Sequence, residues 1–363
     1  MPNANTRRNA WRRLRRNKGA LFGMAVIGLA VLVALFGYWI APDHSPYANR
    51  MVLEIGGKKP GYTQLFLKLP RKERPTAPGI FSWMLYGKPE NYDYIPVESV
   101  REQGNDSLQV IKYIDEDLRD TVLLAQNSIP GYNKKTNLQK QTFYLGTDKY
   151  GRDILSRLII GVRVSLGVGL ITVLISLSIG VLLGAVAGYF GGRVDEMVMW
   201  LINVLWSIPT LLLVFAITLM LGKGFWQVFI AIGLTMWVNV ARLVRGQVLA
   251  IRELEYVEAA RALGYADRRI IIRHILPNIM GPVMVLAASN FASAIIIEAG
   301  LSFLGIGVQP PQPSWGLMIK ENYNFIITHN PMLALVPGFA IMLLVLAFNM
   351  LGNGLRDALS VKD

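Results

Sequence analysis

The chain has 363 residues, 53% of them hydrophobic and 17% charged, with a formal net charge of +13 and no cysteine. This composition is too apolar for an ordinary soluble domain, and the missing thiols exclude disulfides, thiolate zinc sites and a cysteine nucleophile. A nucleic-acid partner is not expected either, because the basic residues are interrupted by long apolar runs and no recognition motif accompanies them.

A bilayer core about 30 Å thick is crossed by roughly 20 apolar helical residues. Six runs meet that length: Gly19 to Ala41, Val164 to Ala187, Met197 to Leu221, Phe225 to Ala241, Ile279 to Ile297 and Met332 to Leu351. They predict an all-α polytopic membrane protein with six transmembrane helices.

Residues 1–18 carry Arg7, Arg8, Arg12, Arg13, Arg15, Arg16 and Lys18, a block that the positive-inside rule places in the cytoplasm. The first span, residues 19–41, exceeds the roughly 7 to 15 residues of a signal-peptide core, so it reads as an uncleaved anchor. The Arg7-Arg8 pair is too unspecific in this Arg-rich stretch to indicate twin-arginine export.

Residues 42–141 are charged and punctuated by Pro and Gly, and they are expected outside the cytoplasmic membrane as a small α+β insertion. Tyr62 to Leu69 and Ser107 to Ile114 read as strands, and Asp115 to Gln126 as a helix. Next, Asp153 to Arg163 is amphipathic. It is either an interfacial helix whose Arg152, Arg157 and Arg163 reach toward water or phosphates, or an extension of the following span.

Residues 142–351 then form the main membrane domain. Asp195 and Glu196 open the third span, where the positive helix end favours acids. Outer turns are sparse in charge, with Lys223 in one and Lys320 in the other. The cytoplasmic loop 242–278 carries Arg242, Arg245, Arg252, Arg261, Arg268, Arg269 and Arg273. This asymmetry puts both termini inside, including the tail 352–363.

Within that loop, Leu254 to Leu263 reads as a short helix, with Glu258 and the small Ala259, Ala260 and Ala262 open to close approach by another surface. Gly264 suits its C-terminus. Asp267 reads as the N-cap of a second helix, Arg268 to Leu276, ending at Pro277. Alone, this is a helix-turn-helix between two spans.

The sequence Glu258-Ala259-Ala260, then Gly264, then Leu276-Pro277 resembles the EAA signature of ABC importer permeases, with His274 where the general pattern has Ile. Two further stretches resemble the peptide-transporter branch of that family. One is Leu145-Gly146-Thr147-Asp148-Lys149-Tyr150-Gly151-Arg152-Asp153. The other runs from Glu298-Ala299-Gly300-Leu301-Ser302-Phe303 to Pro313-Ser314-Trp315-Gly316. The Arg-rich start from Trp11 to Lys18 resembles the oligopeptide and dipeptide C-type subunit. The likeness covers residues 144 to the C-terminus; the long insertion departs from it.

The resemblance implies the type I importer fold in the bacterial inner membrane. It implies two ABC ATPase subunits that carry ATP and Mg, a second permease chain in a heterodimer, and a solute-binding protein that delivers peptide. The coupling residues would be Glu258, Ala259, Ala260, Gly264, Leu276 and Pro277, on a helix seated in an ATPase groove. No phosphate-binding loop occurs in this chain, since Gly56-Gly57-Lys58-Lys59 lacks the spacing, so it is not expected to be an enzyme or to bind a cofactor.

Asn203, Asn239 and Asn290 are polar at membrane depth and, with Glu298, are candidates for the translocation path, although helix packing is the plainer role for the asparagines. Pro209 and Pro337 are candidate bends. His44, His274 and His329 are too scattered for a metal site. Nickel, opine or antimicrobial-peptide transport remain alternatives, as does a membrane anchor or membrane enzyme whose function lies in the insertion.

Overall fold

The computed structural model describes residues 11–71, 79–103, 107–125, 137–222, 224–325 and 330–359. Arg7, Arg8, Gln126, Lys223 and His329 lie outside them. In chain order the elements are helix α1 (Lys18–Ile40), strand β1 (Tyr62–Pro70), α2 (Ile80–Tyr86), β2 (Tyr92–Gln103), β3 (Ser107–Tyr113), β4 (Arg119–Ala125) and β5 (Leu138–Phe143). There follow α3 (Ile154–Phe190), α4 (Gly192–Trp206), α5 (Thr210–Leu221), α6 (Phe225–Arg252), α7 (Glu255–Ala262), α8 (Asp267–Ile270), a π-helical turn (Ile271–Ile275), α9 (Leu276–Leu304), α10 (Trp315–Asn322) and α11 (Met332–Leu359).

Among the described residues, five helices are long and apolar enough to cross a membrane: α1, α3, α6, the run Asp267–Leu304 and α11. The span expected over Met197 to Leu221 is broken at the candidate bend. It is a pair, α4 and α5, bent by 92°, and it supplies a sixth crossing only if the two count as one. Pro209 is the cause: it has no N–H to give, it disfavours helix at Ile208, and it stands extended (φ −54°, ψ 126°) at the N-cap of α5.

The chain folds as two compact units, one of residues 1–31, 165–309 and 340–363, the other of 32–164 and 310–339. In the first, α6 is the buried centre, with Phe229, Ile232, Val240, Ala241, Val244 and Val248 all inaccessible to solvent. Helix α3 approaches it closely through glycines at four-residue spacing. A Cβ on Gly180, Gly184 or Gly188 would sit 2.5 Å from Val240 Cβ, 2.5 Å from the Ala241 carbonyl oxygen and 2.8 Å from the Arg245 carbonyl oxygen, respectively. Lipid tails give helices no hydrophobic reason to associate, so this close backbone approach supplies the van der Waals contact that holds them. Three turns earlier on α3, Gly169 leaves room for Phe291, which stacks on Phe348 of α11 with centroids 3.9 Å apart.

In the second unit, the strands make a five-stranded antiparallel sheet in the order β4-β3-β2-β1-β5. Leu67, Val97, Val100, Leu108 and Val110 cluster in one core, and Phe66, Phe143, Val52 and Ile55 in another. The helix expected over Asp115 to Gln126 is corrected to strand β4, which pairs with β3 from Ser107↔Ala125 to Tyr113↔Arg119. Its half-buried Val122 and Leu124 alternate with exposed Thr121, Leu123 and Ala125, the period of a pleated strand.

Residues 154–163 begin α3 rather than forming a separate interfacial helix. The expectation that Arg152 and Arg157 reach water is also corrected, since both are fully buried. Arg152 donates to Asp148 and to Glu321 at 2.6 Å each, and Arg157 lies 3.6 Å from Glu321 and 3.9 Å from Asp148. Next to them, burial lifts the Asp153 carboxyl above its ordinary range, against the hydrogen bonds it accepts from Ser156. Buried charges persist only when paired, and here each arginine has two carboxylates within reach.

A further correction concerns loop 242–278. Asp267 does not cap by its side chain; Ala266 holds the N-cap position, and Asp267 accepts from the Tyr189 hydroxyl at 2.6 Å. Nor does the helix end at Pro277. It passes through the π turn into α9, with Pro277 in the first turn of α9. The widened turn just before Pro277 accommodates a residue that cannot donate the next helical bond.

Candidate coupling surface and polar cavity

Helix α7 is amphipathic on a small scale. Val257 and Ala260, three residues apart, are buried, while Glu258, Ala259, Arg261 and Ala262 are exposed. The buried pair belongs to one cluster with Ala185 and Tyr189 of α3, Val240, Val244 and Val248 of α6, and Ile270, Ile275, Ile279 and Val283 of the long helix. One face of α7 is therefore set into three membrane helices and the other is open.

Gly264 ends α7 at φ +76°, with its N–H donating to the Arg261 carbonyl at 2.9 Å. A Cβ there would meet nothing within 4 Å, so glycine is required by conformation and not by space. Aromatic and charged groups secure the rest of the loop. Arg269 stacks over Tyr265 at 4.3 Å and Arg261 over Tyr189 at 5.6 Å. The Tyr256 hydroxyl accepts from Asn278 at 3.1 Å. Leu276 is half-buried against the same cluster, and Pro277 is exposed.

Deeper in the same unit, a cavity of about 200 Å³ is lined by Asn239, Asn290, Thr210, Thr235 and Ser293 among apolar side chains that include Met236 and Ile297. Asn290 is buried, and its side-chain NH₂ has no hydrogen-bond partner among the described residues. Asn203 stands apart from this cavity, exposed on α4, and accepts from Arg242 at 3.2 Å. Glu298 is also outside the lining. It is buried and accepts from the Ser302 hydroxyl at 2.6 Å, while Ser302 accepts from the Val308 N–H at 3.1 Å.

Three residues at this site were not singled out by the sequence reading. Arg242 lies over the Trp206 ring at 3.5 Å, and Trp206 Nε1 donates to Asn239 at 3.2 Å. Arg245 grips Asp195 through two hydrogen bonds, one of them 2.5 Å long. As sequence, these arginines were two more positive charges in a basic loop. The spacing of Asn239 and Arg242, three apart on one helix face, was the available signal.

Apolar helices of bilayer length, a loop helix seated on three of them and a polar cavity between them define a polytopic membrane transport subunit. Residues 180–362 match the family model described as the binding-protein-dependent transport system inner membrane component, and residues 6–53 match the N-terminal TM domain of oligopeptide transport permease C. The chain is 41% identical over 231 residues to the glutathione transport system permease protein GsiD of Pectobacterium atrosepticum, covering 64% of this chain and 76% of that one. It is 42% identical over 242 residues to the dipeptide transport system permease protein DppC of Alkalihalophilus pseudofirmus, covering 66% and 79%. It is 41% identical over 219 residues to the oligopeptide transport system permease protein OppC of Bacillus subtilis, covering 60% and 72%. A structure of the MetNI methionine ABC transporter in inward-facing conformations aligns at a TM-score of 0.48 and 18% identity, over 57% of this chain and 98% of that one.

The chain belongs to the binding-protein-dependent family of ABC importer permeases, in its oligopeptide and dipeptide C-type branch. It is a multi-pass inner-membrane protein of a kind that works with ATPase subunits and a binding protein.

Proposed function

We propose that this chain carries peptides across the inner membrane, in a heterodimer with a second permease, above two ATPase subunits that bind ATP and Mg and do all the hydrolysis. Both termini lie in the cytoplasm, the sheet-bearing segment lies outside, and a solute-binding protein delivers the cargo there. The substrate class rests on the dipeptide, oligopeptide and glutathione permeases to which the chain is similar. The polar cavity is consistent with it: side-chain amides and hydroxyls of Asn239, Asn290, Thr210, Thr235 and Ser293 can both donate to and accept from peptide groups without imposing a charge.

The observation that carries the coupling role is the two-sidedness of α7. Val257 and Ala260 fix its inner face to α3, α6 and the long helix, and Glu258, Ala259 and Gly264 are left open. A push on the open face is thereby transmitted to three spans as a rigid body. Glu258 would accept charge-assisted hydrogen bonds from an ATPase cation; Leu276 and Pro277 hold the return of the loop into the membrane. The test is Glu258→Lys in the reconstituted complex. Loss of peptide-stimulated ATP hydrolysis with normal membrane insertion is expected; unchanged coupling would refute the docking role.

A further inference from the structure

Helix α2, sequence IFSWMLY, has no charged residue and no buried one. Phe81 is 78% exposed, Ile80 69%, Tyr86 65% and Leu85 54%. An exposed apolar patch of this density is unusual on a folded surface and marks a binding face.

Two sets of contacts fix where that face lies. Trp83 packs on Trp39 near the end of α1, with ring centroids 5.9 Å apart. Arg163 then joins the two helices through their carbonyl groups. Its guanidinium donates to Ala34 O at 2.6 Å and Leu35 O at 3.2 Å on α1, and to Met84 O at 2.6 Å and Leu85 O at 2.8 Å at the end of α2. Ala34 and Leu35 precede the last residue of α1, Ile40, by six and five positions. At 1.5 Å per residue, the end of α2 is anchored roughly 8 to 9 Å inward from the end of the span. The same guanidinium satisfies terminal carbonyls of α2 that would otherwise need water.

The exposed face of α1 continues at this level through Leu32, Leu35, Phe36, Trp39 and Ile40. That face belongs to a helix long and apolar enough to cross a membrane, so lipid is the solvent that suits it. The apolar residues of α2 extend it sideways, with Trp39, Trp83 and Tyr86 supplying the amphipathic rings favoured at a membrane interface. We infer that α2 is a membrane-embedded interfacial helix, with lipid as its occupant. The segment between the first and second spans is then pinned to the bilayer at one point instead of standing free of it.

The absence of native cysteine makes the test direct. Phe81→Cys and Leu85→Cys would be nitroxide-labelled in the full chain, reconstituted with its partners in lipid vesicles. References would be Leu32→Cys in the span and Leu123→Cys on the exposed face of β4. Collision with oxygen is expected to exceed collision with a water-soluble nickel chelate at residues 81 and 85, as at residue 32, and the order to reverse at residue 123. Chelate-dominated collision at 81 and 85 would place α2 in water. Low collision with both would show a protein partner covering it. Either result overturns the inference.

Discussion

The guanidinium of Arg242 lies 3.5 Å from the centre of the Trp206 ring, at the point where α4 stops before Pro209. The indole N–H of that ring donates to Asn239, a residue of the cavity wall. The bend between α4 and α5 is thus fastened to α6 by a cation–π contact and a hydrogen bond between side chains.

Replacing either partner should loosen the bend. Such a contact is worth about 0.5 to 2 kcal/mol, so Trp206→Ala should lower peptide uptake several-fold in vesicles while ATPase co-purification stays intact. Arg242→Lys keeps the charge and loses the planar stacking, and an intermediate uptake is expected.

The glycine stripe on α3 should tolerate no added carbon. Gly184→Ala places a Cβ 2.5 Å from the Ala241 carbonyl oxygen, and overpacking of this kind costs about 1 to 3 kcal/mol. Thermal melting in detergent should fall. Gly246→Ala is the control: no heavy atom lies within 4 Å of its added Cβ, so the same change should be neutral or raise stability by about 0.5 to 1 kcal/mol.

Asp195 and Arg245 are both partly exposed, so their pair should contribute only about 0.5 to 1 kcal/mol. A double-mutant cycle with Asp195→Asn and Arg245→Gln should give a coupling energy of that size. A value near zero would mean that the two-point contact does not hold α4 to α6.

Asp148 sits among buried cations, and its removal should be far more costly. Asp148→Ala leaves Arg152 and Arg157 with Glu321 as their remaining carboxylate partner at ion-pair distance among the described residues. Breaking a buried pair costs about 3 to 5 kcal/mol. Yield of folded chain should drop sharply, as read by fluorescence-detected size-exclusion chromatography.

Gly264→Ala should separate coupling from folding. At φ +76° an L side chain costs about 1 to 2 kcal/mol, with no neighbour for its Cβ to strike. Gly264→Asn, which tolerates that conformation better, should recover peptide-stimulated ATP hydrolysis relative to the alanine variant.

By itself, the sequence determined the solvent of this protein and the places where it is met. Apolar runs without charge can be satisfied only by helices in lipid, so α1, α3, α6, the Ile279 helix and α11 were legible without any contact being known. The short helix that carries Glu258, Ala259 and Ala260, and its stop at Gly264, were legible too, because both rest on local spacing and on one backbone conformation. What the tertiary structure decided are quantities that depend on a partner distant in the chain. Pro209 announced a bend but not its 92° angle or the Trp206–Arg242 fastening. Residues 119–125 became a strand because β3 lay alongside to pair with them. Arg152 and Arg157 looked like water-seeking arginines, yet Glu321, more than 160 positions away, made their burial affordable in charge. Local propensity cannot encode such pairings, since the energy that settles them arises only when the two segments meet.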